Sequence, residues 1–181
     1  MKWLIASDIH GSSYYCQKLI ECIEKEHPDR IILLGDTLYH GPRNDLPKEY
    51  NPKEVIKMLN RYADKIVSVR GNCDSEVDQM VLDFPIMSDY LLLDIGTKII
   101  CLTHGHIYNP NNLLPMKSIS ALVCGHTHIQ ACERMGTYVY MNVGSISIPK
   151  EDGYHGYMII EGNNFVWKDL CGVIKHQFKL D

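Results

Sequence analysis

Apolar runs alternate with helix-period stretches through the first part of the chain. Trp3 to Ala6 reads as a buried strand, and Gly11-Ser12-Ser13 follows it. Leu19, Ile20 and Ile23 then share one face of a helical pattern from Tyr14 to about Glu26, which His27-Pro28 stops. Arg30 to Leu34 is a second buried strand, ending at Gly35-Asp36. A loop rich in Gly, Pro and Asn spans Tyr39 to about Pro52. Lys53 to Tyr62 is an amphipathic helix carrying Val55, Ile56 and Leu59, and Ile66 to Val69 is a third strand that ends at Gly71-Asn72. This β-α-β-α-β alternation predicts parallel strands with right-handed crossovers.

The later pattern is different. Tyr90–Asp94, Lys98–Thr103, Ala121–Cys124, Tyr138–Val143, Tyr157–Ile160 and Phe165–Lys168 are short strand-like runs with few helical stretches between them. Gly96-Thr97 and Gly162-Asn163-Asn164 are hairpin-type turns. With no linker, repeat or low-complexity tract, the reading is one domain over 1–181. Two facing sheets with helices outside are expected, one half mostly parallel and the other mostly antiparallel.

The chemistry gathers where strands end. Asp8 and His10 lie just past the first strand, two residues apart. If that segment is extended, both side chains point the same way while Ile9 points back. Asp36 lies at the same end of the second strand and Asn72 at that of the third. His104 and the Gly125-His126-Thr127-His128 segment follow two later strands. Strand-to-helix loops converge at the carboxyl ends of parallel strands, which is why ligands collect there. Each motif alone is ordinary: Asp-x-His marks many turns, and His-x-His occurs in plain strands. Together they supply two carboxylates, one amide oxygen and four imidazoles. That donor set suits Mn²⁺, Fe²⁺, Co²⁺, Ni²⁺ or Zn²⁺. Seven ligands are too many for one ion and fit two if a carboxylate bridges; Asp36, the acid on the middle strand, is the expected bridge. Two divalent ions set against Asp8, Asp36 and a hydroxide leave about one positive charge. Such a site favours an anionic substrate such as a phosphate ester, with a hydroxide held between the metals as nucleophile.

Composition narrows the picture. The chain has 181 residues, 45% hydrophobic and 22% charged, as in an ordinary globular protein. A net charge of −4 and the lack of a Lys/Arg stripe argue against a polynucleotide substrate. Seven cysteines without a CxxC pair read as free thiols in a reducing cytoplasm. No apolar run approaches the ~20 residues needed to span a bilayer, so no membrane role is expected. His27, His155 and His176 read as surface residues, whereas His40 and His106 stand beside ligands. Arg43, Asn44, Ser145 and Lys150 sit on loops that would border the site as a polar rim. Tyr14, Tyr15, Tyr39 and Tyr108 would pack on a base or aryl group only if they are not structural.

Taken as a set, Asp8-x-His10, Gly35-Asp36, Gly71-Asn72-Cys73-Asp74, His104-Gly105 and Gly125-His126-Thr127-His128 resemble the calcineurin-like metallophosphoesterase superfamily. The stretches His40 to Asn44, Arg70 to Met80, Leu102 to His106 and Asn142 to Lys150 are similar to a bacterial phosphodiesterase branch of it. The resemblance implies an α/β (α+β) four-layer sandwich, with two mixed β-sheets flanked by helices. It implies one metal on Asp8, His10, Asp36 and His128, and another on Asp36, Asn72, His104 and His126. It implies Mn²⁺ as the favoured ion and a small phosphodiester as substrate. Asp74 is expected to orient a histidine ligand. Members of the family often associate, so a homo-oligomer is compatible with it. The superfamily also includes a non-enzymatic scaffold, the retromer subunit with this fold, which has lost part of its ligand set. This chain keeps every ligand, which favours a hydrolase over a scaffold, with a phosphomonoesterase or nuclease as the other alternative.

One departure stands out. Most of the superfamily has histidine after the asparagine, where it contacts phosphate and can protonate the leaving oxygen; here Cys73 takes that place. A neutral thiol is a weak donor and a thiolate repels phosphate. The expectation is therefore a preference for diesters with good leaving groups.

Overall fold

In the computed structural model, which describes residues 1–181, the β-α-β-α-β unit forms as the pattern predicts. Strands β1 (Lys2–Ala6), β2 (Arg30–Leu33) and β3 (Ile66–Ser68) pair in parallel, with Leu4 opposite Ile31 and Ile31 opposite Ile66. Parallel pairs need crossovers, and α1 (Ser13–Glu26) and α2 (Pro52–Asn60) supply them. Ser12 starts α1 by accepting a bond from the Tyr15 N–H at 3.3 Å, and His27 ends it in a left-handed cap at φ 48°. Asn51 caps α2, whose first turn holds Pro52. A single turn, α3 (Glu76–Gln79), follows β3.

The second sheet contains β4 (Tyr90–Ile95), β5 (Lys98–Thr103), β6 (Ile119–Cys124), β7 (Gln130–Met135) and β8 (Tyr138–Val143), in the order β4-β5-β6-β8-β7. β5, β6 and β8 are parallel and the two edges antiparallel. The last strands, β9 (Gly156–Glu161), β10 (Asn164–Asp169) and β11 (Ile174–Lys179), return to the first sheet, whose order is β11-β10-β9-β1-β2-β3. The expected split into a parallel half and an antiparallel half therefore fails: each sheet is mixed. The reason is an edge. β1 would leave one side unpaired, and the buried strand β9 fills it, with Leu4 opposite Ile159.

Alternation along the strands builds two layers of core. Ile5, Ile32 and Met158 face Leu102, Val123 and Met141 of the other sheet. Leu4, Ile31 and Ile159 face Leu19, Val55 and Leu59 of the helices. Beyond the second sheet the cover is not helical. Leu114 and Met116, in the β5–β6 connection, pack on Cys101, Leu122 and Tyr138. All seven cysteines are free thiols, and Cys16, Cys22, Cys101 and Cys124 are buried fillers. No helix is long and apolar enough to cross a membrane.

Candidate metal centre

The loops after β1, β2, β3, β5 and β6 meet at one rim. Asp8, His10, Asp36, His104 and His128 are all buried there; His126 is half-buried and Asn72 exposed. The ligands converge, but not through extended backbone. Asp8, His10, Asp36, His126 and His128 hold φ of 58°, 50°, 54°, 66° and 65°, the left-handed region. Such backbone costs of order 1 kcal/mol per residue and persists only where the surroundings over-determine it. Here they do. The Asp8 and His10 N–H groups donate to the Gly35 and Asp36 carbonyls at 3.0 and 2.8 Å. The His126 N–H donates to Asp8 Oδ2 at 3.0 Å, and Ser7 Oγ donates to the same oxygen at 2.6 Å. Two glycines allow the close approach: a Cβ on Gly71 would lie 2.1 Å from Asp36 Oδ1, and one on Gly125 would lie 2.0 Å from Ser7 Oγ.

Three imidazoles are locked by backbone carbonyls. His10 Nδ1 donates to Tyr39 O at 2.8 Å, His104 Nδ1 to Leu34 O at 2.6 Å and His128 Nδ1 to Ile148 O at 2.9 Å. A carbonyl only accepts, so each neutral ring presents its Nε2 as a lone pair. His10 Nε2 and His128 Nε2 nevertheless face each other at 3.2 Å, with Asp8 Oδ1 at 3.5 and 3.1 Å from them. Asp8 Oδ1 is buried with no hydrogen-bond donor of its own. Three electron-pair donors pointed at one another need a shared cation or proton.

A second group repeats the theme. His104 Nε2 lies 3.1 Å from Asn72 Oδ1, 3.1 Å from His126 Nδ1 and 3.5 Å from Asp36 Oδ2. The same Asp36 oxygen is 3.7 Å from His10 Nε2, so it lies between the two groups. His126 and His128 fall on different sides, His126 with His104 and His128 with His10. The donor set fits two divalent ions. Burial alone would raise the Asp8 carboxyl, but His104, His10 and His128 outweigh it and hold it well below the ordinary carboxylate range.

Asp74 does something other than expected. It orients no histidine. Its Oδ2 accepts from the N–H groups of Asp36 and Gly71 at 2.8 and 2.7 Å, and its Oδ1 from Thr37 N–H at 2.9 Å. Three backbone donors at the ends of β2 and β3 converge on its carboxylate, so it fixes the loop that carries Asp36. Histidine orientation falls to carbonyls, which sequence alone does not display. Cys73 does border the centre. Its N–H donates to Asp36 Oδ1 at 2.8 Å, and Asn72 Nδ2 donates to its Sγ at 3.2 Å. Burial first, then the Asp36 carboxylate, pushes its thiol up to about 12.

The rim divides. Arg43, Asn44 and Lys150 line a cleft of about 350 Å³ together with Asp36, Asn72 and His126. Ser145 is not among them. It is buried, and with Ser147 it donates to the Asp8 carbonyl at 2.8 and 2.9 Å. His155 is half-buried: its Nδ1 donates to Ile146 O at 2.8 Å, and its ring stacks on Tyr15 at 4.1 Å. His40 packs against the rings of Tyr39 and Tyr50. Ser7, Ser147 and Asn142 were missed. Asn142 Nδ2 donates to Gly125 O at 2.7 Å and so holds the turn before His126. Ser147 and Asn142 act through backbone carbonyls and Ser7 through the Asp8 carboxylate, and no spacing rule marks them.

A family model described as the calcineurin-like phosphoesterase superfamily domain matches residues 1–164. The chain belongs to the calcineurin-like phosphoesterase superfamily. Within it, the chain is 42% identical over 163 residues to Phosphodiesterase YfcE of Escherichia coli strain K12, covering 90% of this chain and 89% of that one. The solved structure of YfcE from E. coli superposes with a TM-score of 0.95 at 39% identity, over the full length of both chains. Zinc-bound Vps29 from Entamoeba histolytica matches with a TM-score of 0.66 at 18% identity over both full chains, a likeness of fold alone. Both sheets are mixed, as the superfamily resemblance implied.

Proposed function

We propose that this calcineurin-like phosphoesterase hydrolyses small phosphodiesters at a dinuclear metal centre, with Mn²⁺ as the favoured ion. The observation that carries this reading is the pair of converging lone-pair groups that share Asp36. Asp8, His10, Asp36 and His128 would hold one ion, and Asp36, Asn72, His104 and His126 the other. Bound there, the ions would supply an acidified water as nucleophile and positive charge against the phosphate oxygens. Hydrolysis breaks one P–O bond, gives the water oxygen to phosphorus and a proton to the departing alkoxide, and so releases one alcohol and one monoester.

The chain's own residues do the rest. Carbonyls of Leu34, Tyr39 and Ile148 keep three rings aimed inward. Arg43 and Lys150, both exposed, give the cleft a cationic rim that suits an anionic substrate. Cys73 stands where a stronger proton donor would help the leaving oxygen depart; its neutral thiol donates weakly, so aryl esters with good leaving groups are the best substrates.

The test is a hydrolysis screen of aryl monoesters and diesters on metal-stripped protein before and after Mn²⁺ is restored. Diester turnover that depends on metal, with about two ions bound per chain, supports the reading. Verified metal occupancy without turnover of any ester would support a non-enzymatic scaffold instead.

A further inference from the structure

His126 and Thr127 form a ridge with an open cleft on each side. One cleft is the 350 Å³ space already described, floored by the ligands Asp36, Asn72, His126 and His128 and rimmed by Arg43, Asn44 and Lys150. The other is about 390 Å³ and runs from His126 and Thr127 past His106 to Asn109, Asn111 and Tyr140. Each volume lies in the range of small-molecule sites. The first cleft opens directly on the centre and the second adjoins it across His126, so a phosphate held at the centre would have the Arg43 and Lys150 rim on one side and the second cleft on the other.

Their chemistry differs. The first cleft has no hydrophobic lining residue and presents two cations, Arg43 and Lys150, neither of which makes an ion pair. The second has no Asp, Glu, Lys or Arg in its lining. Its outer wall is already built: Asn109 and Asn112 exchange backbone bonds at 3.1 and 3.0 Å, and Asn109 Oδ1 accepts from Asn111 N–H at 2.9 Å. Asn111, exposed on this turn, lines the cleft.

Charge decides what each cleft would take. A diester phosphate carries one negative charge, which the roughly single positive charge of a metal pair with Asp8, Asp36 and hydroxide balances. Arg43 and Lys150 add two positive charges that the phosphate does not need. We infer that the protein cleaves an unsymmetrical phosphodiester, with a second anionic group on the arm beside Arg43 and Lys150 and an uncharged, hydrogen-bonding arm beside Asn111. This inference rests on the hydrolase reading above and names its substrate class. It also predicts diesters over monoesters, because a monoester leaves one cleft empty.

Three probes with one aryl leaving group test it: a phosphomonoester, a diester whose second arm is neutral, and a diester whose second arm bears a carboxylate. The carboxylate diester should have a kcat/KM about tenfold above the neutral one. Arg43→Ala combined with Lys150→Ala should erase that difference through KM. Asn111→Trp, on an exposed turn, should lower diester turnover at least about tenfold more than monoester turnover by filling the uncharged cleft. Equal rates on the two diesters overturn the charge assignment. So does an equal loss on all three probes in the Arg43/Lys150 variant, which would put both cations on the phosphate. Equal losses on monoester and diester in Asn111→Trp overturn the two-armed site. Calorimetric binding of a non-hydrolysable phosphonate analogue of the carboxylate diester, weakened in both variants, reads the clefts without turnover. If no probe is turned over while the analogue still binds in this pattern, the hydrolase reading fails and the two-armed site stands.

Discussion

His10 and His128 face each other nitrogen to nitrogen, Nε2 to Nε2 at 3.2 Å, while each gives its Nδ1 hydrogen to a backbone carbonyl. Two lone pairs so placed repel unless something positive lies between them. Bound metal should therefore stabilise the fold as well as enable turnover. At a metal concentration about a hundredfold above Kd, the gain is ~2.7 kcal/mol. In a chain of this size that raises Tm by about 5–10 °C. Differential scanning of stripped and Mn²⁺-loaded protein measures it, and His128→Ala should lose most of the shift.

Asp36 sits between the two ligand groups, with Oδ2 3.7 Å from His10 Nε2 and 3.5 Å from His104 Nε2. Asp36→Asn removes the charge two ions would share. Metal content should drop from about two per chain to one or fewer, and turnover should vanish. Retention of both would refute the bridge.

Asp74 accepts three backbone N–H groups. Asp74→Ala strands those donors in a buried loop, at about 1–3 kcal/mol for each group left unsatisfied. Denaturant unfolding of the metal-free protein should show a loss of about 3 kcal/mol or more. Asp74→Asn, which keeps an acceptor oxygen, should lose less. An Asp74→Ala variant as stable as the parent would show that the loop holds itself.

Cys73→His restores the donor that most of the superfamily carries. Turnover of diesters with alkyl leaving groups should rise relative to aryl ones, by about tenfold or more. A kinetic comparison of the two leaving-group classes checks this, and an unchanged ratio would sink the missing-acid explanation.

Glu26 anchors the helical layer to the sheet. It accepts from Lys168 Nζ and Lys2 Nζ, each at 2.6 Å, and from Tyr157 Oη at 2.9 Å. Burial alone would raise its carboxyl, but these three partners outweigh it and hold it at about 2, below the ordinary 4.5. The depressed value fixes the sign: this stability is complete above the unfolded value and is lost as pH falls towards 2. Glu26→Gln should cost on the order of 2 kcal/mol at pH 7 and flatten acid unfolding in that window.

The seven candidate ligands were legible because each follows an apolar run at a strand end, and parallel strands bring those ends together. Two of the four edge strands were not legible. β7 carries half-buried and exposed residues only, and β11 is exposed over most of its length, so neither shows a hydrophobic period. Asp8-x-His10 predicted convergence for the wrong local reason. Extended alternation was expected, and left-handed backbone at both residues does the work instead.

By itself, the sequence determined which residue types could bind metal, in what order, and on which strands, since burial patterns and donor chemistry are local properties. Tertiary structure decided the rest. It returned β9 to pair with β1, because an unpaired buried edge must be filled. It aimed Asp74 at backbone rather than imidazole, because three unsatisfied N–H groups lay nearer. And it sent His126 and His128, one residue apart, to opposite sides of Asp36, because a left-handed φ at each turns their rings in directions that no periodicity in the chain records.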